Sequence, residues 1–181
     1  MAIIGSTAFW HDESQETCTE IGRRLASVEN ITLLTGGVTG VGECTGRAFA
    51  EACRTLERTP RAFHILPRGC SAWDYGTTLF AGENMGERRE ILGRLAQVFI
   101  VVEGGPGTEH EAAVAKAHGA VLVPVGRSGG VAGALYQEAP RPPFVDARAW
   151  ESLGDPDSPP RTVAEAAVEI VLASLRHRAA R

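Results

Sequence analysis

Short apolar runs alternate with amphipathic stretches along most of the chain, and this alternation constrains the fold more than any other feature. Five runs predict strands, at Ala2–Gly5, 31–35, Ala62–Leu66, Val98–Val102 and Val121–Val125. The fourth run is apolar at every position, as a central strand of a parallel sheet is. Strands that alternate with helices predict a parallel sheet covered on both faces, with right-handed crossovers. We therefore expect a doubly wound, Rossmann-like α/β domain.

Apolar residues at spacings of three and four predict helices between these strands. The predicted helices cover residues 14–26, 41–56, 85–95 and 111–118. Two segments break the alternation, a long loop at 67–82 and a proline-rich segment at 139–160. A last helix is predicted at 162–176, where Thr162 and Glu165 form a capping box. We expect one domain over residues 1–181, with the motif-bearing core at 2–138.

The charge balance and the apolar runs exclude several classes of protein. The sequence has 22 acidic and 18 basic residues, a net charge of −4, whereas a general nucleic-acid binder usually shows a basic face. No apolar run reaches the length of about 18 residues that a membrane span needs, and the first residues lack the basic start of a signal peptide. We therefore expect a cytoplasmic protein that binds neither nucleic acid nor membrane.

The cysteines and histidines give no sign of a metal site. Cys18, Cys44, Cys53 and Cys70 lack the C-x-x-C spacing of zinc sites, and the five histidines are scattered along the chain. We expect reduced thiols, partly buried, and no bound metal.

A first glycine cluster, at residues 35–42, follows a predicted strand and opens a predicted helix. In a doubly wound sheet this position binds phosphate, because backbone N–H groups point outward and the helix dipole favours an anion. Gly36, Gly37 and Gly40 do not have the G-x-G-x-x-G spacing of the dinucleotide fingerprint. A tight strand-to-helix turn that needs positive φ is the alternative interpretation.

A second glycine cluster, at residues 103–111, also lies between a strand and a helix. Gly104, Gly105 and Gly107 allow the backbone to approach a ligand, and Thr108 can cap the helix or bind an oxygen. Three positions later, Glu111 lies in the first helical turn. Two glycine loops at the carboxyl ends of two strands predict one anion-binding crevice.

Two further segments each leave two interpretations open. The charged run at residues 87–90 forms either a solvated helix face with i,i+3 and i,i+4 pairs or a site in which Arg88 turns inward toward a ligand. In the loop at 67–82, Trp73 and Tyr75 form either an aromatic wall of a base pocket or a surface packed on its own loop.

Three motifs, in this order, resemble the Lonely Guy family, whose members were once mislabelled lysine decarboxylases. The first is Thr35-Gly36-Gly37-x-x-Gly40-Val41-Gly42, and the last is Gly104-Gly105-x-Gly107-Thr108-x-x-Glu111, which matches the family's PGGxGTxxE. Between them, Met85-Gly86-Glu87-Arg88-Arg89 matches M-H-x-R-K. The resemblance covers residues 2–126 and places the chain in a wider superfamily of Rossmann-like nucleotide-binding domains.

The resemblance implies a phosphoribohydrolase, which cleaves the N-glycosidic bond of a nucleoside 5′-monophosphate to a free base and ribose 5-phosphate. An adenine-type cytokinin is one such base. The implied catalytic pair is Arg88 and Glu111, with no metal and no cofactor, in a homodimer or higher homo-oligomer. The nucleotide, or a related phosphate-bearing ligand, is expected to contact Met85 and Trp73 through its base. Its remaining contacts are expected with Arg89, Gly36, Gly37, Gly40, Gly104, Gly105, Gly107 and Thr108.

The chain also departs from the family pattern at several positions. Thr35 stands where the first motif begins with glycine, Gly86 where the family has histidine, and Glu103 where the last motif begins with proline. Molybdenum-cofactor carrier proteins of the same superfamily keep a similar glycine–proline–glycine–threonine loop, found here at residues 105–108. A noncatalytic carrier of a nucleotide, an ADP-ribose-type ligand or the molybdenum cofactor is therefore the alternative function.

Overall fold

The computed structural model describes residues 1–180 and contains a six-stranded sheet in which every neighbouring pair of strands is parallel. The strand order is β4-β3-β2-β1-β5-β6, so the order reverses between β1 and β5. In open α/β sheets a crevice forms at such a reversal, outside the carboxyl ends of the strands. The strands are β1 (Ala2–Gly5), β2 (Leu33–Thr35), β3 (Ala62–Leu66), β4 (Thr77–Phe80), β5 (Val98–Val102) and β6 (Val121–Val125).

Seven helices and a short 3₁₀ turn (Gly126–Ser128) connect and cover these strands within residues 1–180. They are α1 (Asp12–Ala26), α2 (Val41–Thr55), α3 (Met85–Leu95), α4 (Pro106–Ala117), α5 (Gly130–Glu138), α6 (Ala147–Gly154) and α7 (Pro160–Ala179). Helices α1, α2 and α7 pack on one face of the sheet, and α3, α4 and α5 pack on the other.

Alternate residues of the central strands supply the two hydrophobic cores. Ile3 and Ile100 pack into the core beneath α1, α2 and α7, whereas Ile4, Phe99 and Val101 pack into the core beneath α3, α4 and α5. Because β5 is buried on both faces, every one of its side chains is apolar. The predicted doubly wound α/β fold is confirmed.

Three elements were not predicted from the sequence. Strand β4 lies inside the predicted loop at 67–82, and it is a short edge strand whose side chains are mostly exposed. Helix α6 lies inside the proline-rich segment, where the Asp146 carboxylate accepts a hydrogen bond from Ala149 N at 3.0 Å and caps it. Helix α5 begins after Gly129, which has positive φ. The apolar signal is weak in each of these segments, because β4 is mostly exposed, α5 fully buries one residue, Ala132, and the apolar face of α6 is limited to Ala149, Trp150 and Leu153 inside a proline-rich segment.

Three helices begin earlier than the sequence predicted, α1 by two residues at Asp12 and the other two at a proline. Helix α4 starts at Pro106 instead of residue 111, and α7 starts at Pro160 instead of residue 162 and continues to Ala179. Proline suits the first helical position because it has no N–H to leave unpaired and its φ is already helical. Thr162 therefore lies within α7, and the predicted capping box is wrong.

The four thiols form no disulfide within residues 1–180. Burial raises the pKa of the Cys18 thiol above its ordinary value. The same residues contain no group of three or more His, Cys, Asp or Glu side chains arranged to hold a metal ion. No helix in this part of the chain has both the length and the apolar character needed to cross a membrane.

Candidate functional site

A cavity of about 280 Å³ lies at the reversal of strand order, outside the carboxyl ends of β1 and β5. Its walls come from the end of β1, the two glycine loops and the first turns of α3 and α4. Of the residues predicted from the sequence, eight line it: Gly36, Met85, Arg88, Arg89, Gly105, Gly107, Thr108 and Glu111. The structure thus brings both glycine clusters and the charged segment between them to one place.

Arg88 and Glu111 form a buried ion pair between α3 and α4. The Arg88 Nη1 donates to Glu111 Oε1, and the two side chains are 2% and 8% exposed. This burial decides between the two interpretations of the charged run, because a solvated helix face would leave Arg88 exposed. Burial raises the pKa of Glu111 above its ordinary value, and the neighbouring Arg88 charge partly opposes that rise.

The first glycine loop accommodates this pair sterically. A Cβ at Gly36 would lie 2.9 Å from Arg88 Nη1 and 3.2 Å from its Cζ, so only glycine leaves room for the guanidinium. The Arg88 Nε is buried and has no hydrogen-bond partner within residues 1–180. A buried donor without a partner is uncommon in folded proteins, and the pair therefore retains hydrogen-bonding capacity.

The N-terminus of α4 forms the anion-binding side of the cavity. Gly105 is the N-cap and Pro106 lacks an N–H, so Gly107 and Thr108 supply the first free backbone donors of the helix. Arg89 lies beside them, because a Cβ at Gly107 would be 2.9 Å from its Nη2. Thr108 is buried inside the first turn and is not the cap that the sequence allowed. Arg89, Thr108 and the helix N-terminus together favour an anion.

Three of the predicted glycines shape the loops without lining the cavity. Gly37, Gly40 and Gly104 have φ of 63°, 79° and 101°, in the region that favours glycine. A Cβ at Gly104 would lie 2.6 Å from the Thr108 Cβ, and one at Gly40 would collide with the Ser6 carbonyl oxygen. At these positions a side chain would collide with its neighbours, so glycine allows the loops to pack closely.

Trp73 does not line the cavity. Its Nε1 donates to the Gly37 carbonyl oxygen at 2.8 Å, and its ring packs near those of His64 and Tyr75. The Arg47 guanidinium lies over Trp73 and Tyr75, at 5.3 and 4.6 Å from the ring centroids. Trp73 therefore stabilises the first glycine loop through its bond to Gly37. Of the two residues predicted for a base pocket, Met85 is the one that lines the cavity.

A buried histidine that sequence reasoning missed supports the same loop. His64 Nε2 lies 3.0 Å from the Tyr75 carbonyl oxygen, and Nδ1 lies 2.8 Å from Thr35 Oγ1. Because a carbonyl only accepts, Nε2 carries the proton and Nδ1 accepts from the Thr35 hydroxyl. The Thr35 oxygen then accepts from Gly37 N at 3.1 Å. Burial lowers the pKa of His64, which favours this neutral form. A polar residue inside an apolar strand was the available signal.

Glu103 is a buried acidic residue beside the cavity to which the sequence had assigned no role. It is fully buried, with φ of 53°, directly after β5. Its carboxylate accepts a hydrogen bond from the Ser6 hydroxyl. It also accepts from Trp10 N, which lies 3.1 Å from Oε1 and 3.2 Å from Oε2. Its backbone N donates to Ser128 Oγ at 2.7 Å. An acidic residue directly after an entirely apolar strand was the signal for it.

A parallel sheet with two glycine loops at the crevice of its switch point defines a Rossmann-like protein. Within that class, the sequence model of the SLOG cluster4 family matches residues 1–141. The chain belongs to this family, which is of the Lonely Guy type.

Solved structures support the fold independently. TM1055, a target of the Northeast Structural Genomics Consortium, superposes with a TM-score of 0.66 at 24% identity, over 82% of this chain and 86% of its own. Two structures of the molybdenum cofactor carrier protein from Chlamydomonas reinhardtii have TM-scores of 0.56 and 0.54 at 23% and 24% identity. Each comparison covers 67% of this chain and 72% of the carrier protein. At such identities the likeness shows the fold alone, and a comparison with curated proteins gave no match.

Proposed function

We propose that the protein is a nucleoside 5′-monophosphate phosphoribohydrolase, which releases a free base and ribose 5-phosphate. The observation that carries this proposal is the Arg88–Glu111 pair, buried in the wall of a cavity that also contains the N-terminus of α4. Membership of a Lonely Guy-type family supports it. One cavity thus combines an anion-binding helix N-terminus with a carboxylate beside the position expected for the sugar.

In this proposal the phosphate binds the backbone N–H groups of Gly107 and Thr108, with Arg89 completing the anion site. The ribose then lies against the Arg88–Glu111 pair. Cleavage of the bond between C1′ and the base nitrogen passes through an oxocarbenium-like state, which the Glu111 carboxylate stabilises. Water adds to C1′, and its proton passes to the departing base. Burial raises the pKa of Glu111, which is the direction that strengthens a carboxylate as a general base.

A noncatalytic carrier is the second candidate function. The loop Gly105-Pro106-Gly107-Thr108 favours it, since molybdenum-cofactor carriers resemble the chain in this loop and in fold. In the structure Glu111 is already paired with Arg88, which is also compatible with a binding site that performs no chemistry. A carrier binds its phosphate-bearing ligand stoichiometrically and releases nothing.

The two functions are separated by incubating the protein with a panel of nucleoside 5′-monophosphates that includes an adenine-type cytokinin nucleotide. Free base is measured by chromatography, and binding is measured on the same samples by calorimetry. The hydrolase proposal predicts base release from at least one nucleotide, in amounts exceeding the protein. Stoichiometric binding without any base release contradicts it and supports the carrier.

We also propose a homodimer or higher homo-oligomer, as the family resemblance implies. Large apolar side chains are exposed at the edge strand β4 and at the end of α3, namely Leu79, Phe80 and Leu95. Exposed apolar groups of this kind are often covered in an assembly. Light scattering coupled to size exclusion measures the molar mass, and a monomer mass of 19.2 kDa contradicts the proposal.

A further inference from the structure

The cavity has a second polar corner at the carboxyl ends of β1 and β5. Ser6 lines the cavity next to the first turn of α2, and its carbonyl oxygen accepts from Val41 N at 3.0 Å. The Ser6 hydroxyl donates to the buried Glu103 carboxylate. Ser6 follows β1 and Glu103 follows β5, so the reversal of strand order brings them together.

This hydrogen bond fixes what Ser6 can offer a ligand. A serine hydroxyl has one proton and two lone pairs, so a hydroxyl that donates to Glu103 presents only acceptor capacity to the cavity. The Glu103 carboxylate accepts hydrogen bonds from the Ser6 hydroxyl and from Trp10 N. Within residues 1–180 it forms no ion pair. Its negative charge therefore lies behind Ser6 without a cation to offset it.

The same arrangement distinguishes the two helix N-termini at the cavity. At α2 only the first N–H, on Val41, is bonded to the Ser6 carbonyl oxygen, so this end differs from α4 chiefly in the Glu103 carboxylate that lies behind Ser6. At α4 the N-terminal donors are free and Arg89 adds positive charge. The α4 corner, where Arg89 adds positive charge, therefore favours an anion more than the Ser6 corner, where the Glu103 carboxylate adds negative charge.

We propose that the Ser6–Glu103 pair determines ligand specificity by selecting an uncharged hydrogen-bond donor on the ligand. The ligand accordingly carries a phosphate, bound at α4, and an O–H or N–H group that donates to Ser6 Oγ. On a nucleoside monophosphate, which the proposed function supplies, this donor is a sugar hydroxyl or an exocyclic amine of the base. The pair acts by recognition and takes no part in bond cleavage.

Calorimetry with four nucleotides tests the proposal and identifies the donor. AMP is compared with 2′-deoxy-AMP, 3′-deoxy-AMP and purine riboside 5′-monophosphate, which lacks the amine. The native protein is expected to bind AMP about tenfold more tightly than the analogue without the selected donor, the scale of one hydrogen bond to a charge-assisted acceptor. Ser6→Ala is expected to reduce that ratio to about one. Inorganic phosphate should bind native and variant equally, because its site at α4 is unchanged.

Glu103→Gln provides a sharper variant because it reverses the polarity of Ser6. The Trp10 N–H needs an acceptor, so the Gln amide oxygen faces Trp10 and its NH₂ group faces Ser6. Ser6 must then accept that N–H and direct its own proton into the cavity. We expect selectivity for the donor-bearing nucleotide to disappear and inorganic phosphate to bind several-fold more tightly. Ser128→Ala is the matched control, since it removes a bond to the Glu103 backbone and leaves the carboxylate contacts intact.

The outcomes separate this inference from the proposed hydrolase. Unchanged AMP-to-analogue ratios in Ser6→Ala overturn the inference, as does a native protein that binds AMP and all three analogues equally. An AMP-to-analogue ratio that depends on Ser6 supports the inference. If the same protein releases no free base, the proposed hydrolase activity is refuted while the inference stands. Should Glu103→Gln fail to fold, as judged by its melting temperature, Ser6→Ala alone decides, because it removes only one hydroxyl. Native protein that binds no nucleotide at millimolar concentration contradicts both.

Discussion

The Arg88 guanidinium lies directly against the α-carbon of Gly36, and the same guanidinium holds Glu111. Gly36 belongs to the first glycine loop, whereas Arg88 comes from α3, 52 positions further along the chain. The first glycine loop therefore contributes to this site by leaving the space of a side chain free for the Arg88 guanidinium. This relationship joins two of the three sequence motifs in one contact.

Gly36→Ala is expected to displace Arg88, because the new Cβ would lie 2.9 Å from Nη1 and 3.2 Å from Cζ, closer than ordinary van der Waals contact. Misplacement of a catalytic group by a fraction of an ångström reduces turnover by about tenfold or more. Steady-state release of base measures the effect. Gly133→Ala, in α5 with its nearest neighbour at an ordinary 3.4 Å, is the control and should retain native turnover. Full activity in Gly36→Ala would show that this contact has no role.

Loss of Arg88 is expected to destabilise the fold as well as the site. Arg88→Met leaves the Glu111 carboxylate buried without its partner, which costs about 3–5 kcal/mol in comparable pairs. The double variant Arg88→Met/Glu111→Leu should recover most of the loss, because an apolar pair replaces two buried charges. Denaturant unfolding of Arg88→Met, Glu111→Leu and the double variant measures this coupling. Equal stability of the single and double variants would contradict an energetic link between the two residues.

His64 predicts a pH dependence of stability. Its pKa in the folded protein is lowered from 6.5, chiefly by burial and secondarily by the Arg47 charge, while its bond to the Tyr75 carbonyl opposes the shift. Below pH 6.5 the unfolded chain therefore binds a proton that the folded chain does not. The stabilising contribution of neutral His64 is complete above pH 6.5 and is lost as the pH falls below that value. The native free energy of unfolding should fall between pH 7.5 and 5, relative to His64→Gln.

Two substitutions separate the contacts of His64. Asn places a polar atom near the Nδ1 position that faces Thr35, whereas Gln places its amide near the Nε2 position that faces Tyr75. If the hydrogen bond from Thr35 to His64 positions Thr35 to hold Gly37, His64→Asn should bind nucleotide more tightly than His64→Gln at equal stability. Equal affinities in the two variants would confine His64 to a structural role.

Much of the fold was predictable, because the strands at the centre of the sheet are buried on both faces and are bounded by turn segments that contain glycine. Strands Ala2–Gly5 and Val98–Val102 have the predicted bounds. An apolar run that stops at a turn fixes where its strand can begin and end. The convergence of the two glycine loops was predictable for a topological reason. Carboxyl ends of parallel strands lie at one edge of the sheet, and the switch point gathers them.

The remaining features depend on contacts between distant positions, which no local spacing reveals. Ser6 and Glu103 are 97 residues apart, and Trp73 and Gly37 are 36 apart. The sequence suggested Trp73 as a base-pocket wall because it is large and follows a strand, but its indole N–H is bonded to the back of the loop. Which face of a loop an aromatic residue packs against is decided by tertiary packing, here by Arg47 and His64.

The central claim, that Glu111 acts on the glycosidic bond, is tested most directly by the turnover number of Glu111→Gln with the best nucleotide of the panel. The substitution keeps the shape of the side chain and removes its charge, so turnover should fall by about a hundredfold or more while nucleotide affinity changes little. Glu109→Gln, two positions earlier and exposed on the same helix, is the matched control and should retain native turnover. Native turnover in Glu111→Gln would contradict the account.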